Sequence, residues 1–91
     1  MADFLHMSIV PHEGVTVEQI EERLNKALDW MRYRGGLYLL YTRYTPQQWA
    51  DMLADLVKPE GILLVVAVDV SKRQGWMTES FWEWLHKERQ P

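Results

Sequence analysis

Seven consecutive apolar residues set the predicted architecture: Ile62-Leu63-Leu64-Val65-Val66-Ala67-Val68. A short apolar run without polar alternation is typical of a strand that is covered on both faces. Gly61 precedes the run and Asp69 follows it, so the run is too short for a buried helix. We therefore predict a central strand here, in a sheet that lies between helical layers.

Two more strands are predicted nearer the start of the chain. The segment from Phe4 to Val10 ends in β-branched residues and stops at Pro11. The segment from Leu37 to Tyr44 follows a glycine pair and is rich in aromatic and other β-favouring residues. The sequence therefore predicts three strands.

Three helices are predicted between and after these strands. Thr16 with Gln19, and Thr45 with Gln48, have the spacing of capping boxes, and Thr78 can cap a third helix. The first helix is expected to continue to the Gly35-Gly36 pair, because apolar residues recur at helical spacing up to Met31. The apolar faces of the three helices consist of Val17, Ile20, Leu24, Ala27, Leu28 and Met31; of Trp49, Met52, Leu53, Leu56 and Val57; and of Phe81, Trp84 and Leu85.

The alternation of strands and helices predicts one small α/β domain over residues 1–91, with the order β-α-β-α-β-α. We expect three mainly parallel strands in the order 1-3-2, with the helices packed on the sheet and the tail at 87–91 frayed. The alternative is a ferredoxin-like α+β arrangement, which needs one more strand. In that arrangement, residues 69–76 are predicted to form the additional strand.

Composition excludes several classes of site and predicts a cytoplasmic protein. The 91 residues include no cysteine, which rules out disulfides, thiolate metal sites and cysteine nucleophiles. The apolar run of seven residues is far below the roughly 20 that a membrane span needs, and no signal peptide is evident. The three histidines lack metal-ligand spacing, and we predict no metal site and no cofactor.

The aromatic residues near the C-terminus point to an interaction module. Large aromatic side chains concentrate at the centres of protein interfaces, and this chain has five tryptophans. We expect an aromatic-rich C-terminal helix to dock on a partner protein or on a second copy of the chain, in a module that is not an enzyme. The expected contact residues are Trp76, Phe81, Trp82 and Trp30. The competing interpretation is that the third helix buries these rings against the sheet.

A second hypothesis places an anion or nucleotide site, or a small catalytic site, at the carboxyl ends of the strands. Ligands of parallel sheets collect at that edge, where helix N-termini also point. The candidate anion-binding residues are Arg43, Thr45, Lys72 and Arg73. The competing interpretation is that polar residues simply gather where strands leave the core.

A third hypothesis is single-stranded nucleic-acid binding, because arginine and tyrosine interleave at residues 32–34 and 41–44. The formal net charge of −3 argues against it, since a polyanion would be repelled at long range. Membrane binding is not predicted either.

Overall fold

The computed structural model describes residues 1–89, which form four strands and three helices. The strands are β1 (Asp3–Val10), β2 (Asp29–Arg34), β3 (Leu37–Thr42) and β4 (Ile62–Val68). The helices are α1 (Val17–Leu24), α2 (Pro46–Val57) and α3 (Glu79–His86). The strand prediction for the apolar run is confirmed by β4, and both capping boxes are present, at Thr16 with Gln19 and at Thr45 with Gln48.

The sheet is antiparallel, so the predicted parallel α/β topology is wrong. Its strands lie in the order β2-β3-β1-β4, and every neighbouring pair is antiparallel. The predicted order 1-3-2 is replaced by one in which β1 lies between β3 and β4. The domain is therefore α+β, and β1 to β4 with α1 and α2 have the β-α-β-β-α-β connectivity that the ferredoxin-like alternative requires.

The extra strand comes from the segment that was predicted as the second half of the first helix. The helix α1 ends at Leu24, and β2 begins at Asp29 instead of near residue 69. The apolar spacing was misleading because Met31 falls at helical spacing from Ala27 and Leu28, yet it lies in a strand whose residues Trp30 and Met31 pack on opposite cores. A strand periodicity of two was thus read as a helical one.

The two glycines that were predicted to end a helix instead connect β2 to β3. Gly35 has a φ of 46°, a conformation that favours glycine, and the carbonyl of Gly36 accepts a 2.9 Å hydrogen bond from the amide of Ile9. A Cβ added at Gly36 would overlap the carbonyl oxygen of Ile9. The turn therefore lies directly against the end of β1.

The main core lies between one face of the sheet and the helices α1 and α2. It includes Trp49, which is fully buried and whose indole N–H donates to the Thr42 hydroxyl at 3.1 Å. The other buried residues of this core are Leu5, Met7, Ile9, Ile20, Leu24, Tyr38, Leu40, Leu53, Leu56 and Val57. Apolar residues of β1 and β3 alternate toward this face and are buried, whereas on β4 Leu63 and Val65 are half-buried and Ala67 is exposed.

A smaller core lies on the opposite face, where α3 packs through Phe81 and Leu85 against Leu39 of β3. At residues 87–89, Lys87 and Arg89 both bond the carboxylate of Asp29, and fraying of the tail at 87–91 stays a prediction. Residues 90 and 91 lie outside the described residues. The helix α3 covers only part of this face, and what it leaves open positions the candidate site.

Candidate functional site

The part of the sheet that α3 leaves uncovered is apolar. On β4, Ile62 is 65% exposed, Leu64 56% and Val66 38%, and Val10 of β1, which pairs with Ile62, is 54% exposed. These four side chains project from the same face, because alternate residues of a strand share a face and paired residues lie side by side. We call Val10, Ile62, Leu64 and Val66 the β4 patch.

The β4 patch also borders an unprotected sheet edge. Among the described residues β4 pairs only with β1, and its seven register pairs run without a bulge. Natural edge strands usually carry charges, proline or a bulge that prevents pairing with another chain. The strand β4 contains no charged residue and no proline. This strand was predicted to be central, and its position at the edge is the largest correction that the structure makes.

A pocket lies beside the β4 patch, between the loop that follows β4 and the start of α3. We call it the α3 pocket; its cavity is about 390 Å³. His6 and Tyr33 contribute to its lining from the sheet, and the His6 Nε2 lies 2.5 Å from the Tyr33 hydroxyl. Leu39, Val68, Phe81 and Trp82 form apolar walls. This combination of an apolar cavity and a few polar groups is the usual form of a small-ligand site.

The electrostatics of the α3 pocket follow from burial and from local hydrogen bonds. Burial lowers the pKa of His6 and raises the pKa of the Tyr33 hydroxyl, because both charged forms lose solvation. Hydrogen bonds from the Ser71 side chain and backbone lower the pKa of Asp69. At neutral pH the charges that line the pocket are therefore the cations Lys72 and Arg73 and the anion Asp69.

The loop between β4 and α3 stands away from the core. Every residue from Ser71 to Ser80 is exposed, and Trp76 is 98% exposed. A tryptophan with so little contact is unusual, since this residue is highly buried on average. Trp76 lies beside Tyr33 and Arg34 at the end of β2, which is the edge strand at the opposite edge of the sheet from β4.

The four predicted interaction residues occupy different environments. Trp76 is the exposed ring. Phe81 is 8% exposed and belongs to the smaller core, against which Trp82 is half-buried. Trp30 is half-buried against the main core, and its indole N–H donates to Asn25 Oδ1 at 3.0 Å. Trp76 therefore does not share a surface with Trp30, and the exposed residues of α3 are the polar ones, Glu79, Ser80, Glu83 and His86.

The four predicted anion-binding residues lie at one end of the sheet, but in two separate places. Because β3 and β4 are both antiparallel to β1, their carboxyl ends lie at the same end, with β1 between them. Lys72 and Arg73 line the α3 pocket, whereas Arg43 lines a different cavity with Asp29 and Arg89. The Thr45 hydroxyl caps α2 by accepting from the Gln48 amide.

The sequence did not identify the residues that make the β4 patch, nor the pairing of His6 with Tyr33. A uniform apolar strand predicts burial on both faces, and nothing in its seven residues shows that one face and one edge are open. His6 and Tyr33 are 27 positions apart and meet only because β3 lies between β1 and β2.

No group of three or more His, Asp or Glu side chains able to hold a metal ion occurs within residues 1–89. Over the same residues, no helix is long and apolar enough to cross a membrane. The sequence matches no protein-family model and no curated protein, and the structure matches no solved structure.

Proposed function

We propose that this protein is a non-enzymatic interaction module that self-associates through the β4 patch. The observation that carries the proposal is the exposure of Ile62, Leu64 and Val66 on an uncharged edge strand. Contiguous apolar surface of this kind on a folded domain marks an interaction site. A protein that kept it open to water would be prone to non-specific association.

A second copy of the chain is the occupant that this surface fits best. The β4 patch carries no charge, so it repels no identical patch and attracts no charged partner. In a two-fold dimer each patch faces the same patch of the other copy, and two sheet faces can interdigitate their apolar side chains. The domain is otherwise closed by α1 and α2 on its opposite face.

This proposal keeps the function predicted from the sequence but moves its surface. The predicted docking element was the aromatic helix, now α3, yet its residues Phe81 and Leu85 are buried in the smaller core. What supports the new surface is the exposed aliphatic set on β1 and β4. Trp76 is the one member of the predicted contact set that is fully exposed.

The substitution Leu64→Lys tests the proposal. Leu64 is 56% exposed, so lysine can be accommodated in the monomer with a stability change of about 0.5 kcal/mol or less. At the centre of an apolar interface it would bury a charge in each copy, and we expect the dimer dissociation constant to rise by about 30-fold or more. Sedimentation equilibrium over a wide range of protein concentration measures this constant.

Val17→Lys is the matched control, because Val17 is 39% exposed on α1, on the opposite side of the sheet. It introduces the same charge on an exposed apolar side chain and should leave the dissociation constant unchanged. A wild-type protein that stays monomeric at its highest soluble concentration would contradict the proposal. Equal weakening by Leu64→Lys and Val17→Lys would also contradict it.

A further inference from the structure

We propose that the α3 pocket binds a small anion of the aromatic carboxylate class, with its ring between the apolar walls and its carboxylate at Lys72 and Arg73. The site is separate from the β4 patch and does not depend on self-association. Lys72 and Arg73 were predicted from the sequence to bind an anion, and the structure places an apolar cavity beside them.

The size and the walls of the pocket select a compact apolar body. A cavity of about 390 Å³ is near the lower end of the range of small-molecule sites, which runs from about 300 to 1,000 Å³. Phe81 and Trp82 lie edge to face at 5.4 Å between ring centroids, and both line the cavity. Aromatic walls favour an aromatic ring, because offset and edge-to-face contacts add to the gain from burial.

The charges at the rim select an anion. Two cations, Lys72 and Arg73, face one anion, Asp69, in a chain whose formal net charge is −3. The Asp69 carboxylate is already bonded by the Ser71 amide at 3.0 Å and hydroxyl at 2.6 Å. One Arg73 nitrogen donates to the Val70 carbonyl, which holds the side chain near the rim, and Lys72 forms no ion pair among residues 1–89. The ammonium group of Lys72 is therefore available for a ligand.

The pair of His6 and Tyr33 adds polar groups on the sheet side of the cavity. Their mutual hydrogen bond uses one nitrogen of His6, and the other nitrogen, Nδ1, has no hydrogen bond within the described chain. Because burial lowers the pKa of His6, its ring is mainly neutral at pH 7 and leaves the attraction of the anion to Lys72 and Arg73. A polar substituent on the aromatic ring of the ligand can therefore form a hydrogen bond with His6 Nδ1.

Three probes separate the parts of the proposal: phenylacetate, its neutral analogue phenylacetamide, and acetate, which lacks the ring. Each is titrated into the ¹⁵N-labelled full chain and followed by amide and indole chemical shifts. We expect saturable shifts with phenylacetate at Val68, Lys72 and the Trp82 indole, and at least about tenfold weaker binding of each analogue. Equal binding of phenylacetamide would overturn the role of the cations. The absence of saturable shifts at these positions with phenylacetate would overturn the site.

The variant Lys72→Met should weaken phenylacetate binding by about tenfold, because it removes the charge and keeps a side chain of similar length. Lys58→Met is the control, since Lys58 lies at the end of α2 and lines a different cavity. Equal affinity in Lys72→Met and wild type would contradict the proposal. Shifts centred on Leu64 instead of Lys72 would show binding at the β4 patch and would also contradict it. The Leu64→Lys variant should retain phenylacetate binding, so this result is independent of the dimer.

Discussion

Arg89 is enclosed by aromatic rings and by one carboxylate. Its guanidinium carbon lies 4.3 Å from the centroid of the Trp84 ring and 5.3 Å from those of Phe4 and Tyr41. One of its nitrogens donates to the Trp84 carbonyl at 2.6 Å and to Asp29 Oδ2 at 3.3 Å. Burial is the largest single influence and raises the pKa of Asp29, but the hydrogen bond and charge of Lys87, with the other hydrogen bonds to this carboxylate, together outweigh burial and lower the pKa. The C-terminal segment thus joins α3 to the first residues of β1 and β2.

We expect Arg89→Ala to destabilise the fold by about 2 kcal/mol, since desolvated cation–π contacts and charge-assisted hydrogen bonds are lost together. Arg89→Lys should recover less than half of this, because an ammonium group lacks the planar shape that stacks on rings. Urea unfolding measures both variants. Arg34→Ala is the control, because Arg34 is exposed and forms no ion pair in the described part of the chain. An equal loss in the control would contradict this role of Arg89.

The ion pair of Arg23 with Asp55 joins α1 to α2 and makes the folding stability depend on pH in a direction that can be predicted. Both Arg23 terminal nitrogens donate to the Asp55 carboxylate at 2.8 Å, and these bonds lower the pKa of Asp55 from 3.8 to about 2. Because the folded pKa is below the unfolded one, the pair stabilises the fold above the unfolded pKa, and this contribution disappears as the pH falls toward 2. We expect Asp55→Asn to be less stable than wild type at pH 6, and this difference to be much smaller near pH 2. Urea midpoints at both pH values test this, with Asp51→Asn on the same helix as the control; a difference of the same size at pH 2 and pH 6 would contradict it.

At the scale of elements, the hairpin of β2 and β3 depends on its two glycines in different ways. Gly36→Ala should cost about 3 kcal/mol or more, because its Cβ would overlap the Ile9 backbone and displace β1. Gly35→Ala has open space and should cost only about 1 kcal/mol, from its left-handed conformation. Thermal unfolding of the two variants measures the difference. Equal losses would show that the close approach to β1 is unimportant.

Elements with local signals could be predicted from the sequence, and one that depends on its neighbours could not. The starts of α1 and α2 were predicted because Thr-x-x-Gln spacing satisfies the free amides of a helix by itself. The strand β2 was missed because Met31 continues the helical spacing of Ala27 and Leu28, although Trp30 falls outside that face, and it is pairing with β3 that makes this segment a strand. Tertiary context thus overrode the local pattern.

At the scale of the whole molecule, the order of the strands was the main property that could not be predicted from the sequence. Burial of β4 by α2 on one face explains part of its apolar character, but the sequence cannot show that its other face and its edge are open. The same holds for the residues that line the α3 pocket. Lys72, Arg73 and Trp82 were predicted from their residue types, whereas His6 and Tyr33 could be identified only from the three-dimensional structure. Trp76 was named as a contact residue ahead of the predicted third helix, but the sequence did not show that it is almost fully exposed.

The central position of β1 has a consequence for how the chain acquires its structure. Phe4 pairs with Tyr41 on one side and with Val68 on the other, so β1 is fully paired only after both β3 and β4 have joined it. Such distant pairing slows folding, because a long loop must close before its contacts form. The backbone groups of β1 that bond β4 therefore stay unpaired until β4 has joined the sheet, even after α1 and α2 have covered Leu5, Met7 and Ile9.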